Sequence, residues 1–133
     1  MGFGESLPAE IEAAAADIVD AAYQVHLKFG PGLLETIYEV CLAAELAKRG
    51  HEVLRQVRVP IVYGNLEFDE GFRIDLLVDG CVIVEVKAVE SLNPIYAQQV
   101  KTYLKLKGLK LGLLINFNVG IIKDGIKRVI LSK

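Results

Sequence analysis

Apolar residues first recur with a helical period. Between Pro8 and Phe29 they fall at Ile11, Ala14, Ala15, Ile18, Ala22 and Val25, which predicts one long helix. Pro8 suits its first turn, and the alanine-rich face predicts close packing on another element. Gly30-Pro31-Gly32 ends that helix and starts a second, running to about Arg49 and stopped by Gly50. Leu33, Leu34, Ile37, Tyr38, Cys41, Leu42 and Leu46 make its apolar face. Glu35 lies close to that arc, whereas Glu39 and Glu45 do not.

The period then shortens. Val53–Tyr63 alternates apolar and basic residues, as a half-exposed strand does, and Pro60 predicts an edge position or a bulge. Arg55 and Arg58 fall on opposite faces, so they form no single basic stripe. Gly64-Asn65 is a turn, and Phe72–Val78 is the next strand. Asp79-Gly80 signals a hairpin into residues 81–87. There Val82, Val84 and Val86 face one way, while Cys81, Ile83, Glu85 and Lys87 face the other. Both faces stay apolar until Glu85, which predicts a covered central strand whose end emerges into a polar site.

Asn93-Pro94 opens a helix through about Lys107. Leu111–Phe117 follows as a central strand, parallel to 81–87 and joined to it by a crossover. Lys127–Leu131 reads as a last, edge strand. The expected fold is therefore α/β: a mixed central sheet of about five strands flanked by helices, in one domain spanning residues 1–133.

Composition narrows the class. The 133 residues carry a net charge of −2, which argues against a broadly basic nucleic-acid binder but leaves room for a local basic rim. Lys101, Lys105, Lys107 and Lys110 supply such a cluster. No apolar run approaches the ~20 residues that a membrane span needs. The opening residues carry acids where a signal peptide would be basic, so a cytoplasmic protein with two reduced, buried thiols, Cys41 and Cys81, is expected.

Candidate chemistry centres on Arg73–Lys87. Asp75 in one strand and Glu85 in the next could converge as a hard-oxygen site suited to Mg²⁺. Lys87, on the same strand face as Glu85, could orient a water or neutralise developing phosphorane charge. The alternative is a surface hairpin with a Glu–Lys ion pair. Register decides between them. A two-residue turn would pair Val78 with Cys81 and send Asp75 to the valine face, away from Glu85. Convergence needs a three-residue turn with Gly80 left-handed, or a bulge further along. Glu35 is either a site acid or a first-turn glutamate favoured by the helix dipole. Gln99 could reach a phosphate or simply satisfy the backbone. Asn116 or Asn118 could sit at the site end of its strand, and His26 reads as a surface or satisfied core histidine.

These stretches together resemble the GxxExxY family, a compact branch of the PD-(D/E)XK nuclease superfamily. The motif stands as Gly32-Leu33-Leu34-Glu35-Thr36-Ile37-Tyr38, supported by FRIDLLV, VIVEVKAVE and AQQVKTYLKLKGLKLGLLINF, and the similarity covers residues 15–131. It implies that Asp75, Glu85 and Glu35 hold the metal, Mg²⁺ or in its place Mn²⁺. It implies that Lys87, Gln99 and Glu35 serve catalysis. Ile74 stands where the superfamily name has proline.

The function expected is a Mg²⁺-dependent nuclease acting on nucleic acid, DNA first, with Tyr103, Lys101 and Lys105 as nucleic-acid contacts. A homodimer is the expected way for so small a chain to cover a duplex. The competing reading is a non-catalytic nucleic-acid- or protein-binding module on the same fold. A hydrolase of a small phosphorylated molecule is a third, and a deep closed pocket would favour it.

Overall fold

The computed structural model describes residues 7–68 and 72–131; the reading of the chain's opening rests partly on residues 1–6, which lie outside them. In chain order the elements are α1 (Ala9–Phe29), α2 (Glu35–Lys48), β1 (Val53–Arg58), β2 (Ile61–Tyr63), β3 (Leu66–Phe68), β4 (Arg73–Val78), β5 (Val82–Lys87), α3 (Pro94–Lys107), β6 (Leu111–Asn116) and β7 (Ile126–Ile130). Five strands form one sheet in the order β1-β4-β5-β6-β7, and β2 pairs with β3 apart from it. β5 and β6 run parallel, and the other neighbours in the large sheet run antiparallel.

The α/β class and the mixed five-stranded sheet agree with the hydrophobic pattern, and the layering is α/β/α. On one face Val82, Val84 and Val86 join Leu111, Leu113 and Ile115 against Ile18, Ala22, Leu42 and Leu46 of the first two helices. On the other, Ile83, Leu77 and Val129 pack with Val100 and Leu104 of α3. Each such buried valine, leucine or isoleucine contributes about 1.5–3 kcal/mol. Ala14, Ala15, Ala21 and Ala22 are buried along α1, which lets that helix approach closely as expected. α3 has the expected N-cap, with Asn93 Oδ1 accepting from Ile95 N–H at 3.0 Å.

Three expectations change. The strand expected over Val53–Tyr63 breaks at Pro60, where the missing N–H ends the ladder, and β2 begins beyond it. Gly64-Asn65 joins β2 to β3 rather than leading into β4. All three residues of β3 are exposed, so no alternation announces that strand. Cys41 and Cys81 are free thiols but half-buried rather than fully so.

The hairpin between β4 and β5 has the longer turn that convergence requires. Val78 pairs with Val82, leaving Asp79, Gly80 and Cys81 as the turn, and Cys81 N–H closes it onto Val78 O at 3.0 Å. Gly80 has φ +65°, the left-handed conformation that glycine takes without strain.

Candidate active site

β4 and β5 pair as far as Leu76↔Val84, and beyond that row side chains replace the ladder. Asp75 N–H donates to Glu85 Oε2 at 2.9 Å, and Val86 N–H donates to Asp75 Oδ2 at 2.8 Å. Each carboxylate is thus bound to the other strand's backbone. β4 also turns over here without an inserted residue, since the rows Arg55↔Leu76 and Val57↔Ile74 keep one register with β1: Leu76 and Val78 enter the core under α1 and α2, whereas Ile74 packs in the core under α3. Of the two routes to convergence that the register allowed, the three-residue turn is the one formed.

Glu85 is buried, at 6% exposure, and Asp75 is half-buried. Burial pushes both carboxyls above the usual range, Asp75 to about 6 and Glu85 to about 8. Their mutual repulsion adds to Glu85, and the nearby charge of Glu39 and then Glu35 adds to Asp75, against a Val86 hydrogen bond and Lys87 that favour ionisation.

Lys87 extends from the same strand, half-buried, with Nζ 4.4 Å from the centroid of the Tyr96 ring. It forms no ion pair with a carboxylate among the described residues, so the surface Glu–Lys pair is not what the hairpin makes. Tyr96, Gln99 and Tyr103 share one side of α3 by their i, i+3, i+7 spacing. Tyr103 is buried in the core under α3, and burial, then the charges of Glu85 and Asp75, raise the pKa of its hydroxyl. Gln99 is exposed. Lys101 lies on the opposite flank, lining a groove of about 410 Å³ with Gln98, Lys127 and Arg128 along β7. Lys105 is exposed one turn further along that flank.

Glu35 is the first residue of α2 and half-buried. Tyr38 organises its approach: the hydroxyl donates to Gly30 O and accepts from Leu33 N–H at 3.1 Å, while the ring stacks on Phe117 at 4.6 Å. Gly32 between them has φ +112°, so a glycine is required there. The Gly-to-Tyr spacing therefore ties the loop that delivers Glu35.

Sequence reasoning missed three residues. Glu39, expected away from the apolar arc, is only 4% exposed and accepts from Arg55 Nε at 3.1 Å and from Gln56 Nε2 at 3.0 and 2.9 Å. Its position one turn after Glu35 was the available signal. Nothing in the pattern distinguished Arg55 or Gln56.

Two asparagine and histidine expectations resolve structurally. Asn116 is buried and braces the loop after Lys87, accepting from Val89 N–H at 3.0 Å and donating to Val89 O at 2.9 Å. Asn118, exposed, adds a longer contact to Val89 O. His26 is a satisfied core histidine, hydrogen-bonded to Val119 O at 2.8 Å.

The donor chemistry suits a hard divalent cation. Two carboxylates beside a strand-end backbone match the one or two acids by which Mg²⁺ is usually held, with waters completing its shell. No three acids, histidines or cysteines gather into a metal-holding group among the described residues. No helix among them is long and apolar enough to cross a membrane.

A family model described as the PD-(D/E)XK nuclease superfamily matches residues 12–129. No curated protein and no solved structure gave a match.

Proposed function

Because the chain belongs to the PD-(D/E)XK nuclease superfamily, we propose that it hydrolyses phosphodiester bonds in nucleic acid, DNA first, in the cytoplasm and with Mg²⁺. Its Gly32–Tyr38 motif supports a place in the GxxExxY branch. One observation carries the reading: Asp75 and Glu85 interlock at the end of a buried strand, with the Lys87 ammonium two residues on and held by a ring rather than by an acid.

Asp75 and Glu85 would hold the ion, with Glu35 joining from α2. The ion supplies Lewis acidity at the scissile phosphate. Lys87 orients the attacking water and offsets the charge that builds on the phosphoryl oxygens. Gln99, beside Tyr96 and Tyr103, steadies Lys87 or the phosphate. Tyr103 lies on the same side of α3 as Gln99. Lys101 and Lys105 would meet nucleic acid only where it passes the far flank of α3. A homodimer would supply further contact surface.

The second reading is a nucleic-acid- or protein-binding module that does not cut, which the small size of the chain and its net charge of −2 support. Cleavage of single-stranded, duplex and branched DNA and RNA, with Mg²⁺ or Mn²⁺, decides between them. Wild type should cut with metal, and Asp75→Ala and Lys87→Ala should not. Tight binding without cutting, unchanged in both variants, would establish the module instead.

A further inference from the structure

Gln56 stands opposite Asp75 in the β1–β4 pairing, between the rows Arg55↔Leu76 and Val57↔Ile74. Its φ is +54°, in the left-handed region, which strains a residue that carries a Cβ. The conformation turns β1 over just as β4 turns at Asp75: Val53 packs in the core under α1 and α2, and Val57 in the core under α3. Strain of this kind persists where the surroundings over-determine it, and here they are two carboxylates.

The twist aims the Gln56 amide at both acids. Nε2 donates to the two oxygens of Glu39 at 3.0 and 2.9 Å and reaches Asp75 Oδ1 at 3.3 Å. Only the N–H end of the amide can face two carboxylates, so the orientation is set by chemistry. Glu39 is a fixed anchor: it is buried, and Arg55 binds Oε2 through both Nε at 3.1 Å and Nη2 at 3.0 Å. Asp75 Oδ2 is meanwhile held by Val86 N–H. Both oxygens of Asp75 are thereby given one orientation.

We propose that Gln56 is a positioning residue for Asp75, presenting its carboxylate to a divalent cation; this rests on the reading of Asp75 as a metal ligand. A neutral amide suits the task because it fixes the carboxylate without neutralising it. A lysine or arginine at the same place would bind Asp75 more strongly but would compete with the cation for its charge.

Gly and Asn both accept the left-handed backbone, and neither can bridge Glu39 to Asp75. Mn²⁺ titrations of the full-length protein, followed by electron paramagnetic resonance, should show Gln56→Gly and Gln56→Asn binding about 10–100-fold more weakly than wild type. Their melting temperatures without metal should equal or exceed that of wild type, because the strain is relieved. Unchanged Mn²⁺ affinity in either variant would overturn the inference, and so would an affinity loss that merely follows a fall in melting temperature. Asp75→Asn separates the two levels. If it binds Mn²⁺ like wild type, or wild type binds none, the metal-site reading fails and this inference with it; if only the Gln56 variants are silent, Gln56 alone loses its role.

Discussion

The main-chain N–H of Asp75 donates to the carboxylate of Glu85 at 2.9 Å, taking the place of the next ladder bond between their strands. The interlock keeps two acids side by side in a buried place where neither ionises easily. Such a site is built at the expense of the metal-free fold, and that can be measured.

Asp75→Asn and Glu85→Gln should each raise metal-free stability at alkaline pH, by about 1–2 kcal/mol, while abolishing Mg²⁺-dependent cleavage. The sign follows from linkage. Both folded-state pKa values lie above the ordinary carboxylate range, so the two groups favour folding at low pH and lose that contribution as pH rises through about 6 and about 8. Urea unfolding without metal, at pH 5 and pH 9, should show wild type weakening and the variants weakening less. Mg²⁺ binding must displace the same protons, so its affinity should climb over that interval.

Tyr96 holds Lys87 by its ring face, a contact of about 1 kcal/mol. Tyr96→Leu should lower kcat about 3–10-fold with KM little changed, since the ammonium loses its rest position and not its charge. Tyr96→Phe keeps the ring and should cut like wild type. Equal kinetics for all three proteins would remove Tyr96 from the account of Lys87.

The Tyr38 hydroxyl is fixed between Gly30 O and Leu33 N–H. Tyr38→Phe keeps the stack on Phe117 and loses both hydrogen bonds, which should cost about 1–2 kcal/mol in urea unfolding. Tyr38→Ala should cost about 3–5 kcal/mol because it also empties a fully buried volume.

Long periodic segments made most of this fold legible. The α1, α2 and α3 patterns, the buried β5 and the parallel β6 all follow from side chains that must be covered on one face or both. The turn length was legible only in part: a three-residue turn was one of two ways for Asp75 to stay on the face of Glu85, and it is the one formed. β3 was not, since its residues pack against nothing that imposes a period. The sequence marked Asp75, Glu85 and Lys87 as a group. It did not reveal Glu39 or Gln56, because the burial of one and the left-handed backbone of the other arise from how α2 and β1 meet at the sheet's end. That meeting is tertiary, and no local spacing encodes it.

At the opposite end of the same hairpin, His51 joins the sheet to α1. Its Nδ1 lies 2.6 Å from Asp79 Oδ2 in the β4–β5 turn, and its Nε2 lies 2.5 Å from Asp17 Oδ2. Arg49 extends the group to Asp17, Asp20 and Glu45, and Glu52 N–H binds the other oxygen of Asp79. The hydrogen bonds that the ring donates to Asp79 and then to Asp17 raise the His51 pKa. His51 holds the Asp17 carboxyl below its ordinary value, and for Asp79 the same bond, with that of Glu52, outweighs burial. The raised histidine contributes stability below its unfolded pKa of about 6.5 and loses it as pH rises through the folded value. The lowered aspartates contribute above about 3.9 and lose it as pH falls through their folded values. The clamp should therefore be strongest between about pH 4 and 6.5. His51→Gln, compared with wild type in thermal melts across pH 4 to 9, should lower the melting temperature by about 3–5 °C in that window, with the gap closing on the alkaline side. A gap that stays constant to pH 9 would mean that His51 works by neutral hydrogen bonding and packing, and not by its charge.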